Sequence, residues 1–351
     1  MLWRNILIYD HIAEALKEPK IVKLENNFYL ARFESMKIYS TLYAVKSLLE
    51  REIINRHSIL IDSSSGIYAY ALALACHKYQ LKCHIIASKT VEPSMKTQIE
   101  LLGAYVEGVP SAGSLKLDQS YRVEKVEQLL KENSNYYWMQ QYHDDIHYGG
   151  YEAFANIILN DINTEKLTIV GGIGSGCSTG ALGVFLRQKG IKITLCGIQP
   201  FGSVTFGAQD VYDPEIIIAG IGSAIDFRNV KYENYDSIDW LSFDCCLSGT
   251  IELIKRYAIY AGLSSGGSYC VGKYLFQHNP STPCLVIAPD TGHRYAGSVF
   301  ARHHEAKPLE QFKPQIINHA NELVLPWSRY LWDRKEKSHL CEFTSLIHIE
   351  S

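Results

Sequence analysis

Residues 171–180 form a glycine-rich segment directly after an apolar run, and this pattern constrains the fold more than any other part of the chain. The apolar run is Leu167-Thr168-Ile169-Val170, the glycine-rich segment reads Gly-Gly-Ile-Gly-Ser-Gly-Cys-Ser-Thr-Gly, and Ala181 to Leu186 follow. The pattern predicts a strand, a loop and a helix. Glycines let backbone N–H groups converge and a helix N-terminus adds partial positive charge, so the loop is suited to a phosphate. Turns of this kind also occur without a ligand, and the loop alone does not decide.

The residues around this loop exclude two common phosphate-binding motifs. No Gly-Lys-Ser/Thr follows, so the lysine of a Walker loop is missing. The loop does not follow the first strand of the chain with an acidic residue at the right later position, as a dinucleotide-binding fold requires. A cofactor with a single phosphate therefore fits the loop better than a nucleotide.

Strand and helix patterns alternate along most of the chain. One helical pattern begins at Tyr70 and a second covers residues 96–104. Strands are predicted at residues 58–62, 82–87, 105–109, 167–170, 193–198 and 284–288. This alternation predicts an α/β fold with two domains, each with a mainly parallel sheet covered by helices. The active site is expected in the crevice between them, at the carboxyl ends of the strands.

Charge and hydropathy exclude several classes of partner. The chain has 351 residues, with 34 basic and 37 acidic side chains and a net charge of -3, which gives no electrostatic case for nucleic acid or a membrane surface. No segment approaches 18 uncharged apolar residues, so no membrane span is expected. The start, Met1 to Asn5, lacks a basic region followed by an apolar signal core, and we therefore expect a cytoplasmic protein.

The nine cysteines form no C-x-x-C motif and no Cys/His set with zinc spacing. We therefore predict no metal site, and most cysteines are expected to be small, reduced core residues. Cys177 differs because it lies inside the glycine-rich loop. Since no histidine partner is visible in the sequence, a small residue tolerated in the loop is favoured over a nucleophile.

Five further segments occur in a fixed order around the loop. They are Glu34-Ser35-Met36-Lys37, Asp62-Ser63-Ser64-Ser65-Gly66, Trp138-Met139-Gln140-Gln141-Tyr142, Ala261-Gly262-Leu263-Ser264-Ser265-Gly266-Gly267, and Pro289-Asp290-Thr291-Gly292-His293-Arg294-Tyr295. Together with the loop they resemble the motifs of the cysteine synthase / cystathionine β-synthase family of pyridoxal-phosphate enzymes (fold type II). The resemblance runs in unbroken order over roughly residues 12 to 300.

The resemblance implies roles for particular residues. Lys37 would form the internal Schiff base with pyridoxal 5'-phosphate, and Ser264 would contact the pyridine nitrogen. The cofactor-binding loop would comprise Gly174, Ser175, Gly176, Cys177 and Ser178, and the substrate α-carboxylate would be held by Ser64, Ser65, Gly66 and Gln141. A lysine used for imine chemistry must be neutral when it attacks, and burial lowers its pKa. A serine, unlike an aspartate, does not keep the pyridine nitrogen protonated, which suits loss of a β-leaving group better than racemisation or transamination.

The resemblance also implies how the chain is organised. Residues 1–38 with 146–310 are expected to form a larger cofactor-binding domain, and residues 39–145 a smaller mobile domain. Residues 311–351 form a C-terminal tail of unknown role. The expected partners are small amino-acid substrates and a second copy of the chain in a homodimer.

Three features depart from the family pattern. The family asparagine that hydrogen-bonds the cofactor's 3'-oxygen is Ile67 here, Tyr68 and Ala69 replace the following Thr-Gly, and the Asn-Pro segment before Ser-x-Lys is absent. Within the family, residues 201–207 and 220–223 resemble the siderophore-pathway branch. That branch makes N-(2-amino-2-carboxyethyl)-L-glutamate from O-phosphoserine and glutamate.

Three functions are compatible with these residues. The first is pyridoxal-phosphate-dependent β-replacement on O-acetyl- or O-phospho-L-serine, in which Lys37 removes the α-proton and an α-aminoacrylate accepts a nucleophile, giving cysteine or a 2,3-diaminopropionate-type amino acid. The second is β-elimination, as in a serine/threonine dehydratase. The third is a catalytically degenerate relative that acts as a binding or regulatory partner, which the loss of asparagine at position 67 motivates.

Overall fold

Two sheets organise the chain in a computed structural model that describes residues 8–89, 91–110, 115–214 and 220–345. The strands are β1 (Lys20–Glu25), β2 (Phe28–Arg32), β3 (Ile59–Ser63), β4 (Lys82–Ser88), β5 (Tyr105–Val109), β6 (Tyr136–Trp138), β7 (Lys166–Gly172), β8 (Lys192–Pro200), β9 (Ser237–Leu241), β10 (Cys284–Ala288), β11 (Gln315–Ile316) and β12 (Trp327–Tyr330). The helices are α1 (Ile12–Ala15), α2 (Ile38–Glu50), α3 (Ile67–Tyr79), α4 (Pro93–Leu101), α5 (Leu115–Glu132), α6 (Ile146–Gly149), α7 (Glu152–Asp161), α8 (Cys177–Gln188), α9 (Phe243–Tyr257), α10 (Leu263–His278) and α11 (His339–Thr344).

The small sheet has four strands in the order β5-β4-β3-β6, and all three of its pairings are parallel. Its central strands β3 and β4 are short, largely apolar runs, and β4 is buried over all but its first residue. Burial on both faces is typical of parallel strands covered by helices. The turn after β3 and the residues after β6 therefore meet at one edge of the sheet.

The large sheet has eight strands in the order β1-β2-β10-β7-β8-β9-β12-β11. The central pairings from β2 to β9 are parallel, whereas β1 on β2 and β12 on β9 are antiparallel. The carboxyl ends of β7 and β10 lead into the glycine-rich loop and the Pro289–Tyr295 segment. The predicted α/β fold with two mainly parallel sheets is confirmed, while the residue boundaries of the two domains stay a prediction.

The C-terminal tail contributes to the large sheet. Strand β12 lies beside β9, where Arg329 Nη1 contacts Asp239 Oδ2 at 2.6 Å in the buried interior. Trp332 and Phe343 are also buried, so the described part of the tail packs against the body of the protein. Its composition does not indicate this packing, because a charged and aromatic segment is equally typical of a solvated tail.

Two further properties bear on function. No helix in the described ranges combines the length and hydropathy that a membrane span requires. Eight of the nine cysteines are buried and none forms a disulfide, which agrees with their prediction as core residues.

Candidate active site

Two adjoining cavities lie where the ends of both sheets meet. The main cavity, of about 300 Å³, is lined by Lys37, the residues 64–68 after β3, Gln141, and loops at 200–203 and 220–223. The inner cavity, of about 60 Å³, is bounded by Lys37, Ser178, Ser264 and the Pro289–Tyr295 segment. Both sheets therefore contribute to one site at the carboxyl ends of their strands, as predicted for this architecture.

Lys37 stands at the start of α2 and faces both cavities. Its segment is held against the end of β10, since Met36 N donates to Pro289 O at 2.8 Å and Ser35 forms a bridge with Asp290. The Nζ atom of Lys37 lies 3.2 Å from Ser175 Oγ. Burial lowers the pKa of Lys37, and the neighbouring Cys177 partly offsets this. A lysine with a lowered pKa supplies the neutral amine that imine formation needs.

The glycine-rich loop joins β7 to α8 and leaves the first turn of the helix open. Gly176 is the N-cap residue with φ +82°, and no side chain caps the helix. A Cβ at Gly176 would lie 2.7 Å from the backbone of Val230, so both conformation and space require glycine there. Ser178 and Thr179 in the first turn line the inner cavity. Such a helix N-terminus is suited to a phosphate group.

The serine turn, residues 63–66, and Gln141 are held together by Asp62. The Asp62 carboxylate accepts hydrogen bonds from Ser63 N at 2.8 Å, Trp138 Nε1 at 3.1 Å and Gln141 N at 3.0 Å. Gln141 Nε2 in turn donates to Ser63 O at 2.9 Å. Burial raises the pKa of Asp62 to about 6, against the lowering effect of these donors. Asp62 therefore positions the predicted carboxylate-binding residues, a role that its place at the end of a buried strand could have indicated.

Arg122 lies beside the serine turn and was not predicted as a site residue. Its Nη1 donates to Ser65 Oγ at 3.0 Å and its Nε to Asp118 O at 3.2 Å, and the residue is 6% exposed. Within the described ranges no carboxylate pairs with it at salt-bridge distance. Ser65 Oγ is also engaged by Ser88 N at 2.7 Å. No local signal marked Arg122, because it lies in a helix rich in charged residues.

The remaining predicted residues divide between the cavity walls and the layer behind them. Ser264 is buried near the start of α10, whose N-cap residue is Gly262, and it borders the inner cavity. Gly176 and Cys177 lie behind the cavity walls. Burial raises the pKa of Cys177, whose thiol makes weak contacts with Ser175 O and Gln141 O at 3.9 Å, which favours the small structural residue over a nucleophile. Ile67 lines both cavities and offers them apolar surface.

These residues fit pyridoxal 5'-phosphate. Lys37 can bond an aldehyde carbon, the N-terminus of α8 can hold a phosphate, and Ser264 can meet a ring nitrogen, and all three border the inner cavity. An aldehyde, a phosphate and a ring nitrogen are parts of that single molecule. The fold and the site together define an enzyme of the fold type II pyridoxal-phosphate class.

Comparison with known proteins agrees with this class. A family model described as "Pyridoxal-phosphate dependent enzyme" matches residues 6–290, and the chain belongs to that family. Cysteine synthase B of Campylobacter jejuni is 23% identical over 82% of this chain and 97% of its own length. The N-(2-amino-2-carboxyethyl)-L-glutamate synthase of Cupriavidus metallidurans is 25% identical over 84% of this chain and 90% of its own length.

Solved structures share the fold. The O-acetylserine-dependent cystathionine β-synthase of Helicobacter pylori superposes with a TM-score of 0.76, at 22% identity, over 84% of this chain and 100% of that chain. Cysteine synthase of Entamoeba histolytica gives a TM-score of 0.78, at 19% identity, over 88% and 94%. The predicted family, fold type and cofactor are confirmed, and the protein is a pyridoxal-phosphate-dependent enzyme.

Proposed function

We propose that this enzyme catalyses β-replacement on an O-activated L-serine. The observation that carries the proposal is the position of Lys37, whose amine borders both the cavity of the cofactor loop and the cavity of the serine turn. The reaction needs this arrangement, because one group must hold the cofactor and then act on the α-carbon of the substrate. The cysteine synthase and N-(2-amino-2-carboxyethyl)-L-glutamate synthase relatives support this reaction class.

Lys37 has two proposed tasks. It would hold the cofactor through Nζ, and when free the same nitrogen would accept the α-proton of the substrate as general base. Ser175 Oγ, 3.2 Å away, orients the amine between these tasks. The bound cofactor supplies an electron sink for the bonds at the α-carbon. Because Ser264 offers a hydroxyl and not a carboxylate, this sink is weak, which favours departure of the β-substituent.

The serine turn has the proposed task of holding the substrate carboxylate. Its donors are the N–H groups at the start of α3, where Gly66 is the N-cap residue and no side chain caps the helix. Gln141 is fixed against this turn by Asp62, so its side chain keeps one orientation. A carboxylate bound here gains charge-assisted hydrogen bonds and the favourable end of the helix dipole.

Arg122 lies behind Ser65 and Tyr142, which line the main cavity, and its charge favours a second anionic group there. The buried guanidinium supports Ser65, and its positive charge also acts on Tyr142, which stacks on Phe227 with ring centroids 3.9 Å apart. We propose that this charge helps to bind the phosphate of O-phosphoserine or the side-chain carboxylate of an acidic acceptor. Reaction with an acidic amino-acid acceptor gives a 2,3-diaminopropionate-type product. Cysteine formation from sulfide is the alternative outcome.

A visible spectrum tests the cofactor role of Lys37. The purified protein should be yellow, and Lys37→Ala should lose the imine band. Lys46→Ala is the matched control, because Lys46 lies exposed on the same helix and pairs with Glu50 at 3.6 Å. A colourless protein that cannot be reconstituted would refute the proposal and revive the partner-protein hypothesis.

Product analysis tests the reaction. O-acetyl- and O-phosphoserine are each incubated with sulfide, cysteine, glutamate and ammonia, and the products are identified by mass spectrometry. A 2-oxo acid and ammonia, undiminished by any acceptor, would identify the elimination reaction instead. Light scattering tests the expected homodimer, and cell fractionation tests the expected cytoplasmic location.

A further inference from the structure

Arg294 lies between the two cavity systems, and its guanidinium is only partly used by its neighbours. It borders the inner cavity and also a separate cleft of about 360 Å³. Its Nη1 lies 3.4 Å from Asp290 Oδ2, which is long for a charge-assisted hydrogen bond. Its Nε is buried and has no partner within the described part of the chain. Since a guanidinium carries five N–H donors, most of its capacity is left for other acceptors.

The far edge of this guanidinium faces the serine turn. A Cβ added at Gly66 would lie 3.8 Å from Arg294 Nη2, so the guanidinium is close to the turn and a side chain at position 66 would touch it. Helix α3 begins directly after Gly66 with its N-terminal N–H groups uncapped by any side chain. A second guanidinium, that of Arg122, contacts Ser65 in the same turn. The turn is therefore flanked by two guanidinium groups in addition to the positive end of the helix.

Asp290 anchors Arg294 through one long contact, to Nη1. Its Oδ2 accepts from Tyr295 Oη at 2.7 Å, and its Oδ1 is buried without a partner among the residues that the structure describes. A Cβ at Gly262 would clash with that oxygen, so the backbone before α10 has room for the carboxylate only because glycine stands there. Asp290 thus holds the guanidinium through Nη1, while Nη2 lies on the side of the serine turn.

We propose that Arg294 is a substrate-positioning residue that supplies positive charge to the α-carboxylate held by the serine turn. The inference rests on the proposed function, because the carboxylate is that of the proposed amino-acid substrate. Glu92 also lies within the electrostatic reach of Arg294. Its carboxylate already caps α4 by accepting from Ser94 N at 3.1 Å and Met95 N at 2.8 Å, which leaves Arg294 for the substrate.

The test compares two ligands that differ in the carboxylate. L-serine and L-serinamide are titrated into the cofactor-loaded enzyme, and dissociation constants are read from the change in the visible spectrum. We expect Arg294→Gln to weaken L-serine binding by about 10- to 100-fold and L-serinamide binding by less than about 3-fold. Arg294→Lys should recover part of the lost L-serine affinity, because lysine keeps the positive charge but lacks the paired, planar N–H donors of the guanidinium. In turnover, KM should rise more than kcat falls.

Two controls separate this role from a structural one. Arg256→Gln removes an exposed arginine that pairs with Glu25 at 3.1 Å. Glu92→Gln removes the charge of the neighbouring carboxylate, which is engaged in capping α4. Both variants should keep the wild-type ratio of the two dissociation constants. Equal weakening of both ligands by Arg294→Gln, or no weakening, would overturn the inference. If that variant does not fold, an unchanged ratio in Arg294→Lys overturns it. Failure of the wild-type enzyme to bind either ligand would instead count against the proposed function.

Discussion

Replacement of Asp62 by asparagine tests the electrostatic role of the buried carboxyl group that holds the serine turn and Gln141. Burial raises the pKa of this carboxyl from its ordinary value of 3.8 to about 6. Between pH 3.8 and about 6, the Asp62 carboxyl is therefore more protonated in the folded protein than in the unfolded chain. Since stability falls with rising pH wherever the folded state binds more protons, the contribution of Asp62 is greatest below pH 3.8 and is lost as the pH rises through about 6.

The magnitude follows from the same two values. A difference of about 2 in pKa corresponds to about 3 kcal/mol of unfolding free energy. The substituted asparagine would carry no charge and would escape this loss, but its amide group cannot accept from all three donors that Asp62 serves. One unsatisfied buried donor costs about 1–3 kcal/mol at every pH. We therefore expect Asp62→Asn to be clearly less stable than wild type near pH 4 and close to wild type at about pH 8.

Denaturant unfolding between about pH 4 and 8 measures this difference. Tryptophan fluorescence is a suitable probe, because Trp138 donates directly to Asp62. Asp144→Asn is a matched control in the same region, since Asp144 caps a turn through Ile146 N at 3.0 Å and is not fully buried. A constant difference between wild type and Asp62→Asn across this pH range would refute the reasoning.

Three further substitutions test the site. Arg122→Ala should raise KM for O-phosphoserine or an acidic acceptor by about 10- to 100-fold and have little effect on turnover of O-acetylserine with sulfide. The control Lys131→Ala, at an exposed position of the same helix, should leave the KM of every substrate unchanged. Equal effects of Arg122→Ala on all substrates would contradict a charge-specific role. Gly176→Ala should weaken cofactor binding, which equilibrium dialysis measures. Gly190→Ala is the control, because Gly190 has φ +86° but open space around its Cβ position. That variant should lose about 1–2 kcal/mol of stability and keep its cofactor affinity. Ile67→Asn should tighten cofactor binding or sharpen the imine band, since a hydrogen bond to a charged oxygen contributes about 1.5–3 kcal/mol, and weaker binding would show that Ile67 is shaped for this enzyme's own ligand.

The fold could be predicted where burial alone determines the sequence. The predicted strand at 284–288 has the observed bounds of β10, because a strand covered on both faces becomes an apolar run. The edge strand β5 also has the predicted bounds, 105–109, although only two of its residues are buried. The helix predicted at 96–104 begins earlier, at Pro93, because the Glu92 side chain caps it. Strand β12 was missed, since its buried Arg329 is acceptable only beside Asp239 of β9, about ninety positions away. No local pattern reports such a partner.

The same distinction separates the predicted site residues from the missed ones. Lys37, the glycine-rich loop and the serine turn are each local motifs, and the structure brings their side chains or backbone to adjoining cavities. Arg122 acquires its place from α5, which packs across the small sheet and so brings a guanidinium to Ser65 from fifty-seven positions away. A motif specifies chemistry that any member of the family needs, whereas charges delivered by packing belong to the individual protein. Substrate preference should therefore follow residues such as Arg122, and exchanging the loop motifs between relatives should transfer cofactor affinity without transferring the preferred acceptor.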